Sequence, residues 1–344
     1  MLPKRLNIII VAVMIFTVIL TACGGQEANK VCAVLDTGGE NDRSFNEFTL
    51  KGARDAAEAE GLEFAYIVSE AETDYEKNIQ NFIDEGCGMI ITVGFLMGDV
   101  TAAAARENPD VEFAIVDVSY FPGAGCDESL SDCYEEDLSN VTSLMFAEDE
   151  VGYLAGVLAG CMSESGVIGS VSGMEIPPVV KFVEGYQTGA ATQNPDIETL
   201  NVYIPDFNDP STGKQAGQSM IDDGADIIFG VGGNTGNGGV LAAHEAGLLG
   251  IGVDVDQYNT YPDVAPSLLT SAAKNMDVAA YDAVIAFSNG ELEPGIQLGT
   301  VANSGIGLAP YHDQENNIPQ ECKDAVSEAE EGLSAGTIDT GYTP

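Results

Sequence analysis

The sequence predicts an α/β protein of parallel sheets flanked by helices, divided into two similar lobes. Three observations lead there. Apolar runs of strand length alternate with longer stretches of helical periodicity. The alternation occurs twice, in two half-chains with no low-complexity linker between them. The 344 residues also exceed what one core ordinarily holds, since single cores stop growing near roughly 250–300 residues.

In the first half, VCAVLD from Val31 reads as a strand buried on both faces. Residues 44–61 follow as a helix, with apolar or small residues at helical spacing. EFAYIVS, GMIITVG and EFAIVDV read as strands, separated by the helices YEKNIQNFIDEG and DVTAAAARENP. The second half opens with the helix DEVGYLAGVLAGCMSE. The strand GVIGSVSG, a helix that proline opens and closes near residues 178–195, the strand ETLNVYIPD and a helix through GKQAGQSMIDDG come next. ADIIFGVGG and LGIGVDVD are strands around the helix NGGVLAAHEAG. From Pro266 onward a helix over NMDVAAYDAVIAFSNGE, an IQLGTVANSGIGLA passage and an acidic helix near Asp324–Leu333 complete the chain. Tail elements of this kind return to earlier domains, so the lobes are expected to be discontinuous. Residues 31–145 with about 255–300 form the first, and 146–254 with about 301–344 the second.

The first residues read as an address rather than a fold. Lys4 and Arg5 precede the apolar run Ile8–Leu20, which is shorter than the ~20 residues of a spanning helix. Small residues and Cys23 close it, as in a secretory signal covering residues 1–22. Leu20-Thr21-Ala22-Cys23 resembles the lipobox of bacterial lipoproteins, which implies a lipid on Cys23 and a tether over 23–30. Excluding the leader changes 12 basic and 55 acidic residues to 10 and 55, a formal charge of −45 rather than −43. That excess disfavours nucleic acid, anionic lipid surfaces and strongly anionic ligands. Most of it reads as adaptation to the medium rather than as ligand chemistry.

Six cysteines remain, in a chain expected to be exported, where disulfides persist. Cys126 and Cys133 bracket a small acidic loop. Cys32 and Cys87 begin neighbouring predicted strands, and Cys161 and Cys322 are left over. The spacing matches no zinc pattern, so three covalent staples are expected rather than a metal site, with the pairing open.

In open parallel sheets ligands lie beyond the carboxyl ends of strands. Those ends carry Asp36, then Gly94 to Gly98, then Asp117; in the second half they carry Phe207, Gly230 to Gly239, Asp254 and Asp256, and Lys274. Acids, amides, two rings on different lobes and one lysine suit a neutral, flat, hydroxyl-bearing ligand. GVGGNTGNGG lacks the Lys-Ser/Thr of a phosphate loop and reads as a tight turn. Ser44 with Glu47 matches an S-x-x-E capping box that would hold Phe45 and Asn46 in the first helical turn. With no Gly-x-Ser-x-Gly elbow and no histidine among the strand ends, binding is expected rather than catalysis, and no cofactor.

These motifs fall in a familiar order: lipobox, DTGG, DRSFN, VDV, F-x-D-P with GK after it, a GGxxG turn, IGVDxDQ and TSxxK-N-x-DVA. From Val31 to at least Tyr281 the chain resembles the basic membrane protein family, the substrate-binding lipoproteins of ABC importers that include the purine nucleoside receptors. The resemblance implies a type I periplasmic-binding-protein fold, two Rossmann-like lobes joined by crossover strands, and a ligand handed to ABC permease subunits; a monomer is expected. It implies that the base lies between Phe45 and Phe207, with Asn46 and Asp117 on its edge. Asp36 would end strand one at the cleft, Gly233 would lie in the glycine turn, and Lys274 would sit beside the ribose acid, which is Asp254 or Asp256. Asn41 and Arg43 depart from the family's usual acid and lysine. Other readings of the same features are a sugar or another small metabolite in this fold, or a surface lipoprotein without a transport role.

Overall fold

A computed structural model describes residues 29–343; the expected lipid site at Cys23 lies outside them. The first half runs β1 (Lys30–Leu35), α1 (Phe45–Glu60), β2 (Glu63–Val68), α2 (Tyr75–Asp84), β3 (Met89–Val93), α3 (Gly98–Glu107) and β4 (Glu112–Val116). A small ladder of β5 (Phe121–Pro122) and β6 (Gly125–Cys126), the single turn α4 (Cys133–Glu136) and β7 (Val141–Phe146) follow. The second half repeats the order with α5 (Glu148–Met162), β8 (Val167–Ser172), α6 (Pro177–Gln193), β9 (Glu198–Tyr203), α7 (Pro210–Asp222), β10 (Ile227–Val231), α8 (Gly233–Glu245) and β11 (Leu249–Asp254). It ends with α9 (Gln257–Thr260), β12 (Leu268–Lys274), α10 (Met276–Asn289), β13 (Gly295–Gly299), β14 (Ile306–Leu308) and α11 (Gln320–Ser334).

Two six-stranded sheets result, ordered β13-β7-β4-β3-β1-β2 and β14-β12-β11-β10-β8-β9. All neighbours are parallel except β14 on β12. The chain passes between lobes three times: from β7 into α5, from β12 into α10, and from β13 to β14. The expected boundary at residue 255 is therefore corrected. β12 pairs with β11 in the second sheet, because its apolar LLTSAA is buried between two strands there. Only α10 and β13 return to the first lobe.

Local chemistry accounts for the elements. β1 is fully buried from Val31 to Leu35, as a doubly covered parallel strand must be. Pro177 opens α6 at a position where its missing N–H costs nothing. Glycines let α5 and α6 touch backbone to backbone; a Cβ on Gly156 would lie 2.0 Å from the Tyr186 carbonyl oxygen. The glycine-rich run after β10 differs from expectation. It turns at Gly232 (φ 91°) and then forms the first turns of α8. Glycine disfavours helix, but a Cβ on Gly238 would lie 2.2 Å from the Pro210 carbonyl oxygen, so close packing of α7 on α8 overrides propensity.

The disulfides are Cys32–Cys87, Cys126–Cys133 and Cys161–Cys322. The last ties α5 to α11 across 161 residues of sequence. Closing so long a loop restricts the unfolded chain, so Cys161→Ser with Cys322→Ser should lower the unfolding free energy by about 3 kcal/mol. Guanidinium unfolding of the oxidised protein measures it; an unchanged midpoint would show that packing of α11 on α5 suffices.

Candidate functional site

The carboxyl ends of both sheets face one another across a cleft that encloses about 620 Å³ of free space, part of it open to solvent. Asp36, Phe45, Asn46, Asp117, Phe207, Gly233, Asp254 and Lys274, drawn from seven separate places in the chain, all line it.

On the first lobe, Asp36 follows β1 and is held by Asn46. Asn46 Nδ2 donates to Asp36 Oδ1 at 2.7 Å and to Asp42 Oδ2 at 3.1 Å. Two acid acceptors fix the amide's orientation, which leaves Asn46 Oδ1 buried without a protein partner among the described residues. The expected capping box is corrected here: Ser44 makes no side-chain cap. Asp42 does that work instead, accepting from the backbone N–H groups of Ser44, Asn46 and Glu47. A carboxylate satisfies several orphan donors at a helix start better than one hydroxyl. Burial pushes the Asp36 carboxyl up to about 6, although Asn46 and the Gly38 N–H pull the other way.

Lys274, at the end of β12, forms the base of the cavity. Its ammonium is buried, 2.7 Å from Asp117 Oδ2 and 3.4 Å from Glu148 Oε1. Burial alone would lower its pKa, but Asp117, Glu148 and Asp254 more than reverse this and hold it above the ordinary range. The rings of Phe45, Phe146 and Phe182 stand 4.9, 5.2 and 5.8 Å from the same nitrogen. Glu148 is wholly buried, and burial raises its carboxyl while Lys274 draws it back. It also accepts from Lys181 at 3.1 Å, which donates in turn to the Phe146 carbonyl at 3.3 Å. Asp117 Oδ1 is buried and has no protein partner among the described residues.

On the second lobe, Phe207 lies on backbone rather than on side chains. A Cβ on Gly173 would fall 2.4 Å from its ring, and one on Gly232 3.1 Å. Gly233 beside it takes φ 58°. Asp254 turns into the cavity with φ 68°, and burial raises its carboxyl to about 6 against the pull of Lys274. Asp256 does not line the cavity; it pairs with His312 at 2.8 Å. Further wall comes from Ile176, Pro178, Val179 and Phe182 at the start of α6, and from Gly94, Phe95 and Leu96 after β3 on the first lobe.

Sequence reasoning missed Phe182, Glu148, Lys181 and the role of Asp42. The strand-end rule applied to β8 would have found Ile176 to Phe182. Glu148 carries no such signal, because an acid at a helix start ordinarily reads as dipole compensation.

Two discontinuous α/β lobes, three crossovers and a cavity lined from both sides define a solute-binding protein of the type I periplasmic-binding fold. Comparison with known proteins agrees. The chain belongs to the family described as ABC transporter substrate-binding protein PnrA-like, which matches residues 29–335. It is 28% identical over 366 residues to the ABC transporter nucleoside-binding protein BmpA of Lactococcus lactis, with 98% of this chain and 99% of that one covered. It is 30% identical over 278 residues to basic membrane protein A of Borreliella burgdorferi, covering 79% and 77%. An ABC transporter solute-binding protein from Aeropyrum pernix superposes with a TM-score of 0.79 at 25% identity, covering 90% of this chain and 92% of that one. A small-molecule ligand and permease partners follow from the family, as does a place outside the cytoplasm. Among the described residues no helix is long and apolar enough to cross a membrane.

Asp36 and Asp254 have folded-state pKa values raised to about 6, against about 4 in the unfolded chain. Groups raised in this way contribute stability that is complete below pH ~4 and is lost as pH rises through ~6. The ligand-free protein should therefore melt at a lower temperature at pH 7.5 than at pH 5, and Asp36→Asn or Asp254→Asn should each flatten that slope. Differential scanning fluorimetry across pH tests this; a slope identical in both variants would contradict it.

Proposed function

We propose that the cleft binds a purine nucleoside, which the protein delivers to an ABC importer. One observation carries the reading: buried acceptors with no protein partner among the described residues, Asn46 Oδ1 and Asp117 Oδ1, share a cavity with aromatic rings from both lobes, Phe45 on the first and Phe207 on the second among them. A flat heterocycle edged with N–H groups satisfies both features. Phe45 and Phe207 would cover its two faces, and stacking of this kind is worth ~1 kcal/mol beyond burial. Asn46 and Asp117 would accept from the base edge, and Asp254 from the ribose hydroxyls. Hydrogen bonds to charged acceptors are worth about 1.5–3 kcal/mol. Lys274 holds Asp117 in place through the 2.7 Å contact to its Oδ2, and Gly233 lets backbone approach the ligand. The Lactococcus relative, described as nucleoside-binding, supports the same assignment. The acids Asp36, Asp42, Asp117 and Asp254 that line the cavity, with Glu148 beside Lys274, favour a neutral nucleoside over a nucleotide.

Guanosine, inosine or adenosine at micromolar concentration should raise the melting temperature, with ribose and guanosine monophosphate giving much smaller shifts. Phe45→Ala and Asp254→Ala should each weaken binding at least about tenfold, the loss expected for one stacked ring or one charged hydrogen bond. Calorimetry reads both. No shift with any nucleoside refutes the assignment, and unchanged affinity in both variants would move the ligand elsewhere.

The same reading places the protein on the outer face of a membrane through acyl chains on Cys23, as a monomer. Expression of Cys23→Ala should move the protein from the membrane fraction to the soluble one. Retention on the membrane by the variant would exclude this anchor.

A further inference from the structure

Arg43 stands between two residues that line the cavity, Asp42 and Phe45, but does not line it itself. It holds a left-handed backbone (φ 63°), which a non-glycine side chain adopts only when its surroundings impose it. Its carbonyl accepts a hydrogen bond from Thr260 Oγ1 at 2.9 Å, and its guanidinium lies 4.5 Å from the centre of the Tyr261 ring. Thr260 and Tyr261 belong to the other lobe: Thr260 ends α9, and Tyr261 is buried against Val240, Val264 and Leu268. The two partners are 217 residues apart in sequence, and no crossover segment carries either of them.

The contact is an arginine on an aromatic face; Arg54 lies over Phe64 and Tyr66 in the same way, but within the first lobe, whereas Arg43 reaches across to the second. With 55 acidic side chains available, Arg43 takes part in none of the ion pairs among the described residues. It rests on an aromatic face instead. Such a contact depends on close approach and needs no carboxylate, so it is made at one angle between the lobes and lost when they separate. Thr260's hydrogen bond to backbone has the same property. The asymmetry within each lobe fits: Asp42 anchors the Arg43 segment to the start of α1, and the apolar cluster anchors Tyr261.

We propose that Arg43, Thr260 and Tyr261 form a latch outside the binding cavity that holds the closed form and sets how long a ligand stays. They are positioning residues; none needs to touch the ligand. The choice of probe rests on the nucleoside reading, but the latch does not.

The test compares the wild type, the double variant Arg43→Gln with Thr260→Val, and Tyr261→Phe, each as the full mature chain. Guanosine dissociation is followed by stopped-flow displacement. Loss of one cation–π contact and one hydrogen bond should speed release about tenfold with association nearly unchanged. Tyr261→Phe keeps an aromatic face and should release guanosine at the wild-type rate. The melting temperature without ligand should stay the same in the double variant, because each lobe is intact. An unchanged release rate in the double variant overturns the latch while leaving the nucleoside reading in place. If guanosine fails to bind the wild type, that reading falls alone, and small-angle X-ray scattering of the ligand-free chains decides the latch. A larger radius of gyration in the double variant supports it, and identical curves overturn it.

Discussion

A buried ammonium organises this protein. Lys274 stands at the end of a second-lobe strand, one residue before the chain crosses to the first lobe, and its partner Asp117 directly follows a first-lobe strand. Removing a charge from water costs several kcal/mol, and here two carboxylates and three aromatic rings offset that cost. Those partners come from α1, β4, β7, α5 and α6, so a geometry that satisfies the lysine also fixes how both lobes meet at the crossover. Glu148 extends the arrangement to Lys181 and to the last carbonyl of β7. Breaking one member of such a buried set leaves an unpaired charge, typically at about 3–5 kcal/mol, which makes the network as much a part of the hinge as of the cavity.

The two sheets share one strand order, so their strands correspond in pairs, β1 with β8 through β4 with β11 and β7 with β12. Asp117 follows β4 and Asp254 ends β11, and the two carry nearly the same left-handed φ, 66° and 68°. Corresponding places in the two lobes thus present an acid to the cleft on a bent strand end. A non-glycine residue in that conformation costs on the order of 1–3 kcal/mol, and flanking strands buried on both faces hold it there. The symmetry then breaks where chemistry must differ. Phe45 follows the first strand of its lobe directly, whereas Phe207 follows β9 and reaches the cleft by lying on Gly173 and Gly232.

Much of this was legible because strand ends in parallel sheets are marked twice in sequence, by the end of an apolar run and by the polar residue after it. Asp36, Asp117, Asp254 and Lys274 were found in that way. Phe207 was found in the same way and Phe45 from the polar stretch after the first strand, while their pairing across one base came only from the family resemblance. What stayed hidden depends on long-range packing. β12 looked like a first-lobe strand because nothing in LLTSAA says which of two similar sheets receives it. Phe182 is indistinguishable from a core residue until α6 is docked on α5 through its glycines. The first turns of α8 were hidden for the same reason, since glycine's helix penalty is local and the contacts that overcome it are not. Asp42 was in plain view, yet the capping box beside it matched a familiar pattern and drew the assignment to Ser44.

Ligand chemistry and lobe closure are linked through the acceptors that the protein leaves without a partner. Asp117 gives one oxygen to Lys274 and Asn46 spends its donors on two carboxylates, and among the described residues the other oxygen of each has no partner. Each such atom, once buried, costs roughly 1–3 kcal/mol until something donates to it. Both lie on the first lobe, while the Phe207 ring and Asp254 that complete the cavity lie on the second. A molecule that donates on one side and stacks or donates on the other therefore interacts with the closed arrangement far better than with either lobe alone. That difference in affinity is the only means by which a ligand can shift the lobes. The donors that satisfy these acids also favour their ionised forms, opposing the burial that raises Asp36 and Asp254. On the proposed reading, recognition of N–H and O–H groups, closure and carboxylate ionisation form one coupled equilibrium, with Lys274 as the fixed charge around which it turns.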